Sequence, residues 1–165
     1  MSQFGTITTV GTQLKARLLR GEQLGGLSWC AIGSGDWADK ENPPAESANA
    51  TALANEYGRR QINRSAFLQQ DDGIGTIEWN NHLYKEVVGP TAIVAYFTTF
   101  QLTDAVGASI CEIGLFGGQV VTTVSPFALA SQTLSPGTLY WLSNEPQIIK
   151  TVRRTYEVIA IFEEK

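Results

Sequence analysis

The side chains equipped for catalysis or metal binding are few in this sequence, and their surroundings argue against that use. His82 is the only histidine, set in the polar run Asn80-Asn81-His82-Leu83. A general base needs an orienting partner and a nucleophile or acid within hydrogen-bond reach, and nothing beside His82 in the sequence supplies them. An exposed loop histidine is expected. Asp71 and Asp72, with Glu78 and Glu86 beyond, offer the carboxylates that a glycoside hydrolase sets across a sugar. Neighbours on the chain and followed by Gly73, they read instead as a hairpin turn. Gly33-Ser34-Gly35 lacks the Lys-Ser/Thr pair of a phosphate-binding loop, and Asp36 puts the wrong charge beside it. Cys30 and Cys111 lie in apolar runs with no second Cys or His at ligand spacing, so two reduced, buried thiols are expected rather than a disulfide or a zinc site. No catalytic residue, cofactor or metal is expected.

Aromatic residues are the other chemistry on offer. Trp29 and Trp79 sit in apolar or strand-like patterns and are expected in a core. Trp37 and Trp141 lie beside turn-like stretches, where exposed rings would stack on sugars or anchor a protein interface. Charged residues make up 17% of the 165 residues and hydrophobic ones 43%. That is a globular composition with fewer charges than usual, so much of the surface is uncharged and suited to contact with other proteins. A net charge of -4 without a basic block argues against nucleic acid as a partner. No stretch approaches a membrane span, and residues 1–10 lack the pattern of a signal peptide. A soluble protein made and assembled in the cytoplasm is expected.

These residues need elements to position them. Leu14, Leu18 and Leu19 form one stripe over residues 12–20, which predicts a short helix stopped by Gly21. A second short helix is expected over residues 50–57, with Ala52, Leu53 and Tyr57 as contacts. Strands are expected over residues 27–32, 60–69, 76–79, 93–102, 109–116, 120–125 and 154–162, the last with Tyr156, Val158 and Ala160 facing a core. Residues 36–49 carry Pro43 and Pro44 with no apolar period and read as a surface loop. The fold class is α+β and mainly β, an antiparallel sheet or sandwich with one or two short helices near the N-terminus. One domain spans residues 1–165, with residues 1–10 as a possible extended docking segment.

Five signals recur in a recognisable order: Thr9-Val10-Gly11 before a helix, Ala31-Ile32-Gly33-Ser34-Gly35, the Pro43-Pro44 loop, Thr51-Ala52-Leu53-Ala54-Asn55-Glu56 followed by Arg59-Arg60, and Glu112-Ile113-Gly114-Leu115-Phe116-Gly117. Together, from Thr9 to about Gly118, they resemble the N-terminal domain of phage tail-collar fibre proteins, which anchors a receptor-binding fibre to the baseplate. The resemblance implies structural roles for Gly33, Gly35, Glu56, Arg59, Arg60, Glu112, Gly114 and Phe116. Glu112 is flanked by apolar residues. Buried, it should have an Arg partner such as Arg59 or Arg60; otherwise it faces solvent from an edge strand. Such proteins usually continue into a shaft and receptor-binding tip, whereas this chain stops at Lys165, which favours an adaptor or baseplate role or else a truncated chain.

The expectation is a structural protein of a phage-type tail, located in the virion and not an enzyme. It binds copies of itself, with trimers favoured, and baseplate and tail fibre proteins. Phe4, Trp37, Pro43, Pro44 and Trp141 are the candidate partner contacts. A receptor- or carbohydrate-binding module using Trp37 and Trp141 is the alternative, and a cell-wall or capsule hydrolase using Asp71, Asp72 or His82 a further one.

Overall fold

In the computed structural model, residues 5–163 are described. In chain order the elements are β1 (Thr6–Ile7), α1 (Thr9–Leu19), β2 (Leu27–Gly33), β3 (Glu56–Gln61), β4 (Arg64–Gln70), β5 (Ile77–Trp79), β6 (His82–Val87) and β7 (Ile93–Phe100). There follow β8 (Ser109–Gly117), β9 (Val121–Thr122), β10 (Phe127–Leu129), a single 3-10 turn, β11 (Thr133–Ser135), β12 (Thr138–Ile149) and β13 (Tyr156–Glu163). Every pairing is antiparallel. A six-stranded sheet runs β1-β12-β8-β2-β3-β10, a five-stranded sheet runs β13-β7-β4-β6-β5, and β9 and β11 form a small ribbon. The expected mainly β fold with a short N-terminal helix is what forms.

Alternation along the strands sorts the side chains onto faces. Cys30, Ile32, Ile113 and Leu115 turn from the six-stranded sheet toward Phe100, Val158, Ala160 and Phe162 of the other, making the central core. Phe162 meets Tyr140, Tyr96 and Trp141 edge-on, with ring centroids 5.4, 5.9 and 6.2 Å away. Such pairs add about 0.5–1.5 kcal/mol each beyond the burial itself. The far face of the six-stranded sheet carries Trp29, Ala31, Phe116, Leu139 and Leu142, and Leu53 from the long loop at residues 34–55 closes over them. A third cluster, with Leu68, Trp79, Tyr84, Phe97 and Ile159, lies on the outer face of the five-stranded sheet. Trp29 and Trp79 are therefore core residues, as expected.

Four expectations are corrected. Trp141 is 5% exposed and belongs to the central core. The β12–β8 register slips between Leu139 and Trp141, and this bulge lets adjacent Tyr140 and Trp141 both reach the core between the sheets. The single strand expected over residues 60–69 is two strands in different sheets. Ile62 N–H donates to Ser28 O and Asn63 N–H to Phe97 O, both at 2.9 Å, so the chain changes sheets within two residues. Residues 51–55 form bends and turns, and β3 already begins at Glu56, so the second helix is absent. Leu19, expected on the buried stripe of α1, is 80% exposed.

The start of α1 explains its actual position. Thr8 is fully buried; its hydroxyl accepts the Gly11 N–H at 2.9 Å and donates to Leu139 O at 2.5 Å. One side chain thus caps the helix and fastens it to β12. A Cβ at Gly11 would lie 2.4 Å from Tyr140 O, so glycine permits the close approach. At the other end Gly21, at φ +84°, and Glu22 donate to Leu18 O and Arg17 O, which stops the helix where the sequence predicts. Replacing Thr8→Ala removes both bonds and should cost about 1–3 kcal/mol, read as a lower urea midpoint, with Thr8→Ser recovering most of the loss.

Candidate functional site

Glu112 lies in the middle of β8, with Gly33 of β2 on one side and Asn144 of β12 on the other. Strand alternation puts its side chain on the outer face of the six-stranded sheet, beside Gly114 and Phe116. It is only 2% exposed. Its partners are backbone amides: Oε1 accepts from Asn55 N–H at 2.8 Å and from Gly35 N–H at 3.2 Å, and Oε2 from Ala54 N–H at 2.9 Å. The expected arginine partner is a correction here, and so is the alternative of a solvent-facing edge position. β8 is interior to the sheet, and both arginines are engaged elsewhere.

The residues around the carboxylate are shaped for it. A Cβ at Gly33 would fall 2.4 Å from Glu112 Oε1, and one at Gly114 would fall 2.8 Å from Leu139 Cδ1 and 2.9 Å from Leu53 Cδ2. Gly35, at φ +62°, takes a left-handed conformation that turns its N–H toward Oε1. Ser34 N–H donates to Asn55 O at 3.0 Å, and Asn55 Nδ2 donates to Ser34 Oγ at 2.5 Å, so the two ends of the 34–55 loop are tied together. Three segments far apart in sequence, around Gly33, Ala54 and Glu112, thus meet at one carboxylate.

Arg59 and Arg60 are adjacent on β3 and point to opposite faces. The Arg59 guanidinium is buried on the Glu112 side, where Nε and Nη2 donate to Glu56 at 2.8 and 2.5 Å and Nη1 donates to Pro136 O at 2.8 Å. Its Cζ lies over the Phe116 ring, 4.2 Å from the centroid. A bidentate bond and stacking together suit arginine and not lysine. Arg60 turns to the other face and pairs with Asp104, whose Oδ2 also accepts Gln101 N–H at 2.8 Å. The Arg60–Asp104 pair joins β3 to the turn after β7, whereas Arg59–Glu56 lies within β3 and Arg59 reaches the rest of the sandwich through Pro136 O and the Phe116 ring.

The 34–55 loop carries the candidate contact residues. The Trp37 ring rests on Gly35, where a Cβ would come within 2.5 Å of it. The Lys40 ammonium lies 5.3 Å from the ring and donates to Ser34 O at 2.7 Å and Gly35 O at 3.2 Å. Trp37 is half-buried, and its Nε1 has no hydrogen-bond partner among the described residues. Pro43 is half-buried and Pro44 exposed, and Pro44 O accepts from Asn144 Nδ2 at 2.9 Å. The structure brings Trp37, Pro43 and Pro44 onto one loop and separates Trp141 from them in the core. Phe4 lies outside the described residues, as do residues 1–3 of the possible docking segment. Its remainder is built into the fold: β1 pairs with Trp141 and Leu142, and a Cβ at Gly5 would meet the Trp141 ring.

Asp71 and Asp72 fasten a hairpin. Asp71 accepts from Gly73 N–H at 3.2 Å, Ile74 N–H at 3.3 Å and Lys85 Nζ at 2.8 Å, and the lysine bond holds its carboxyl below the usual carboxylate range. Asp72 accepts Leu83 N–H at 2.8 Å, which lowers its carboxyl likewise, and its Oδ2 lies 3.3 Å from exposed His82 Nδ1. No group of three or more His, Cys, Asp or Glu residues placed to hold a metal occurs among the described residues. Cys30 and Cys111 are free and buried. Burial pushes the Cys30 thiol up to about 12.

Two outcomes follow from this geometry. Glu112→Gln keeps the shape but leaves an amide group facing N–H donors, so we expect a loss of about 2–4 kcal/mol in urea unfolding. Faster hydrogen exchange at Gly35, Ala54 and Asn55 should accompany it. Cys30 should resist iodoacetamide at pH 8 in the folded chain and react on unfolding, since the attacking species is the thiolate; mass spectrometry of the alkylated peptide checks this.

No curated protein matches the chain in sequence. A family model described as "Baseplate wedge 3 tail fiber network component" matches residues 11–162. That span takes in α1 from Gly11 onward, β2 to β12, β13 but for its last residue, and every segment that converges on Glu112. The chain belongs to this family of phage baseplate tail fibre network components.

Proposed function

We propose that the chain is a non-enzymatic docking subunit that holds tail fibres, or the baseplate proteins beside them, at the tail tip. The family gives a structural role in the baseplate and its fibre network. Within that role, the observation that carries the finer reading is the fastening of the 34–55 loop. Backbone bonds to Glu112 hold both of its ends, Gln147 N–H donates to Lys40 O at 3.0 Å, and Asn144 N–H donates to Glu46 Oε1 at 3.1 Å. A loop held at both ends and along its length presents Trp37, Pro43 and Pro44 in a fixed arrangement, which lowers the entropy lost on binding. An aromatic ring and a pair of prolines on one fixed loop are the chemistry of a protein contact.

The proposed partners are fibre and baseplate proteins together with further copies of the chain, a trimer being the first expectation. Assembly takes place in the host cytoplasm, and the finished position is the virion tail. Repeated copies multiply each modest contact. A phage carrying Trp37→Ala with Pro44→Glu tests the reading. The variant chain should keep its urea midpoint, because neither change touches the Glu112 bonds, while tails should carry several-fold less of the chain or of its fibres by quantitative mass spectrometry. Normal tails would overturn the assignment of this loop, and saturable glycan binding or polymer cleavage by the purified chain would overturn the docking role itself.

A further inference from the structure

Each of the two principal sheets has two outer edges, and three of the four are short or covered. β5 and β10 are three residues each. The far edge of β12 is covered by β1, by Thr8 N–H donating to Tyr140 O, and by the bonds from Gln147 and Asn144 to the 34–55 loop. The fourth edge is β13, eight residues long.

The direction of its backbone groups follows from the ladder. Asn63 N–H donates to Phe97 O, so Phe97 turns its backbone toward β4. By alternation Ile93, Ala95 and Thr99 do the same, while Val94, Tyr96, Thr98 and Phe100 turn theirs toward β13. Their counterparts Phe162, Ala160, Val158 and Tyr156 are thereby satisfied. The N–H and C=O groups of Glu157, Ile159 and Ile161 point away from the sheet, and none of them bonds to another backbone group among the described residues. A long, open edge is a template for another strand.

The charges of this strand identify which strand fits. Arg153 and Arg154 precede it, Glu163 ends it, and Val158, Ile159, Ala160, Ile161 and Phe162 lie between. Neither arginine forms an ion pair among the described residues. Run against itself about Val158, which pairs those outward groups, the segment sets Arg153 against Glu163, Tyr156 against Ala160 and Val158 against Val158, with Glu157 opposite Ile159. We propose that β13 pairs antiparallel with β13 of a second copy, joining two five-stranded sheets across a two-fold axis. Arg153 of each copy then lies opposite Glu163 of the other with Arg154 beside it, and half-buried Ile161 gains cover from Thr155. An isologous contact of this kind makes pairs, so it predicts an even number of copies and not a lone trimer.

This inference rests on the docking role and names one partner for it. Sedimentation of the full chain should show a dimer. Glu157→Pro removes one outward N–H and no bond to β7. Arg153→Glu with Arg154→Glu opposes carboxylates across the axis. Each should weaken the dimer about tenfold or more, with far-UV circular dichroism unchanged, and adding Glu163→Arg to the arginine variant should restore it. A wild-type chain that stays monomeric at high concentration, or a dimer indifferent to both variants, overturns the pairing. Incorporation into tails separates the two ideas: a monomeric chain still built into tails removes the pairing alone, and one that is never built in removes the docking role as well.

Discussion

The buried carboxylate of Glu112 is the constraint around which the rest of the molecule is arranged. A carboxylate taken from water into the interior costs several kcal/mol unless its oxygens are bonded. Here the return comes only when Gly35, Ala54 and Asn55 deliver their amides to one place. Those residues are 77, 58 and 57 positions away along the chain. The pairing of β2 with β8 and the closure of the 34–55 loop are therefore coupled, because neither alone satisfies the charge. An arginine partner would have solved the electrostatic problem with one side chain and left the loop free. Backbone partners solve it by ordering the loop.

The arginines do related work at other points. Arg59 spends its guanidinium on Glu56, Pro136 O and the Phe116 face, tying β3 to the 136 turn and to β8. Arg60, one residue on, reaches Asp104 on the opposite side. Buried ion pairs of this type add little net stability against an apolar equivalent, but losing one partner is costly. Arg60 ties β3 to the turn after β7, and Glu56 holds the Arg59 guanidinium where it meets Pro136 O and Phe116. With Glu112 they form three separate polar fastenings of a mainly apolar sandwich.

Much of this was legible in the sequence, and what was not has identifiable causes. The apolar runs over residues 27–32, 93–102 and 109–116 gave β2, β7 and β8 because alternation and β-branched content agree there. Gly21 ended α1 as its conformation requires. The Arg60–Gln69 run looked like one strand because its residues all favour strands; only long-range bonds at Ile62 and Asn63 divide it. Residues 50–57 have helix-forming composition, but a helix would turn the Ala54 and Asn55 amides inward on themselves, and Glu112 claims them. Trp141 seemed exposed because a bulge is invisible to periodicity. The signals around Gly33, Ala54 and Glu112 were visible separately, and their convergence on one carboxylate was not, since spacing along a chain does not encode which group an amide will meet.

A chain that assembles into a larger particle has to keep some surfaces unsatisfied while hiding the rest. In this sandwich the division follows the edges and the loops. The six-stranded sheet is closed at β12 by β1 and the 34–55 loop, so the element that carries Trp37 and Pro44 also shields a sheet edge. Removing the loop's fastening would then do two things at once: blur the surface proposed for docking and expose strand backbone to indiscriminate pairing. A buried glutamate is an economical way to prevent both, because its bonds reach the loop's backbone and tolerate changes in its side chains. The identities of Gly33, Gly35 and Glu112 are set by the fold, whereas the side chains of Trp37, Pro43 and Pro44 take no part in the bonds to Glu112.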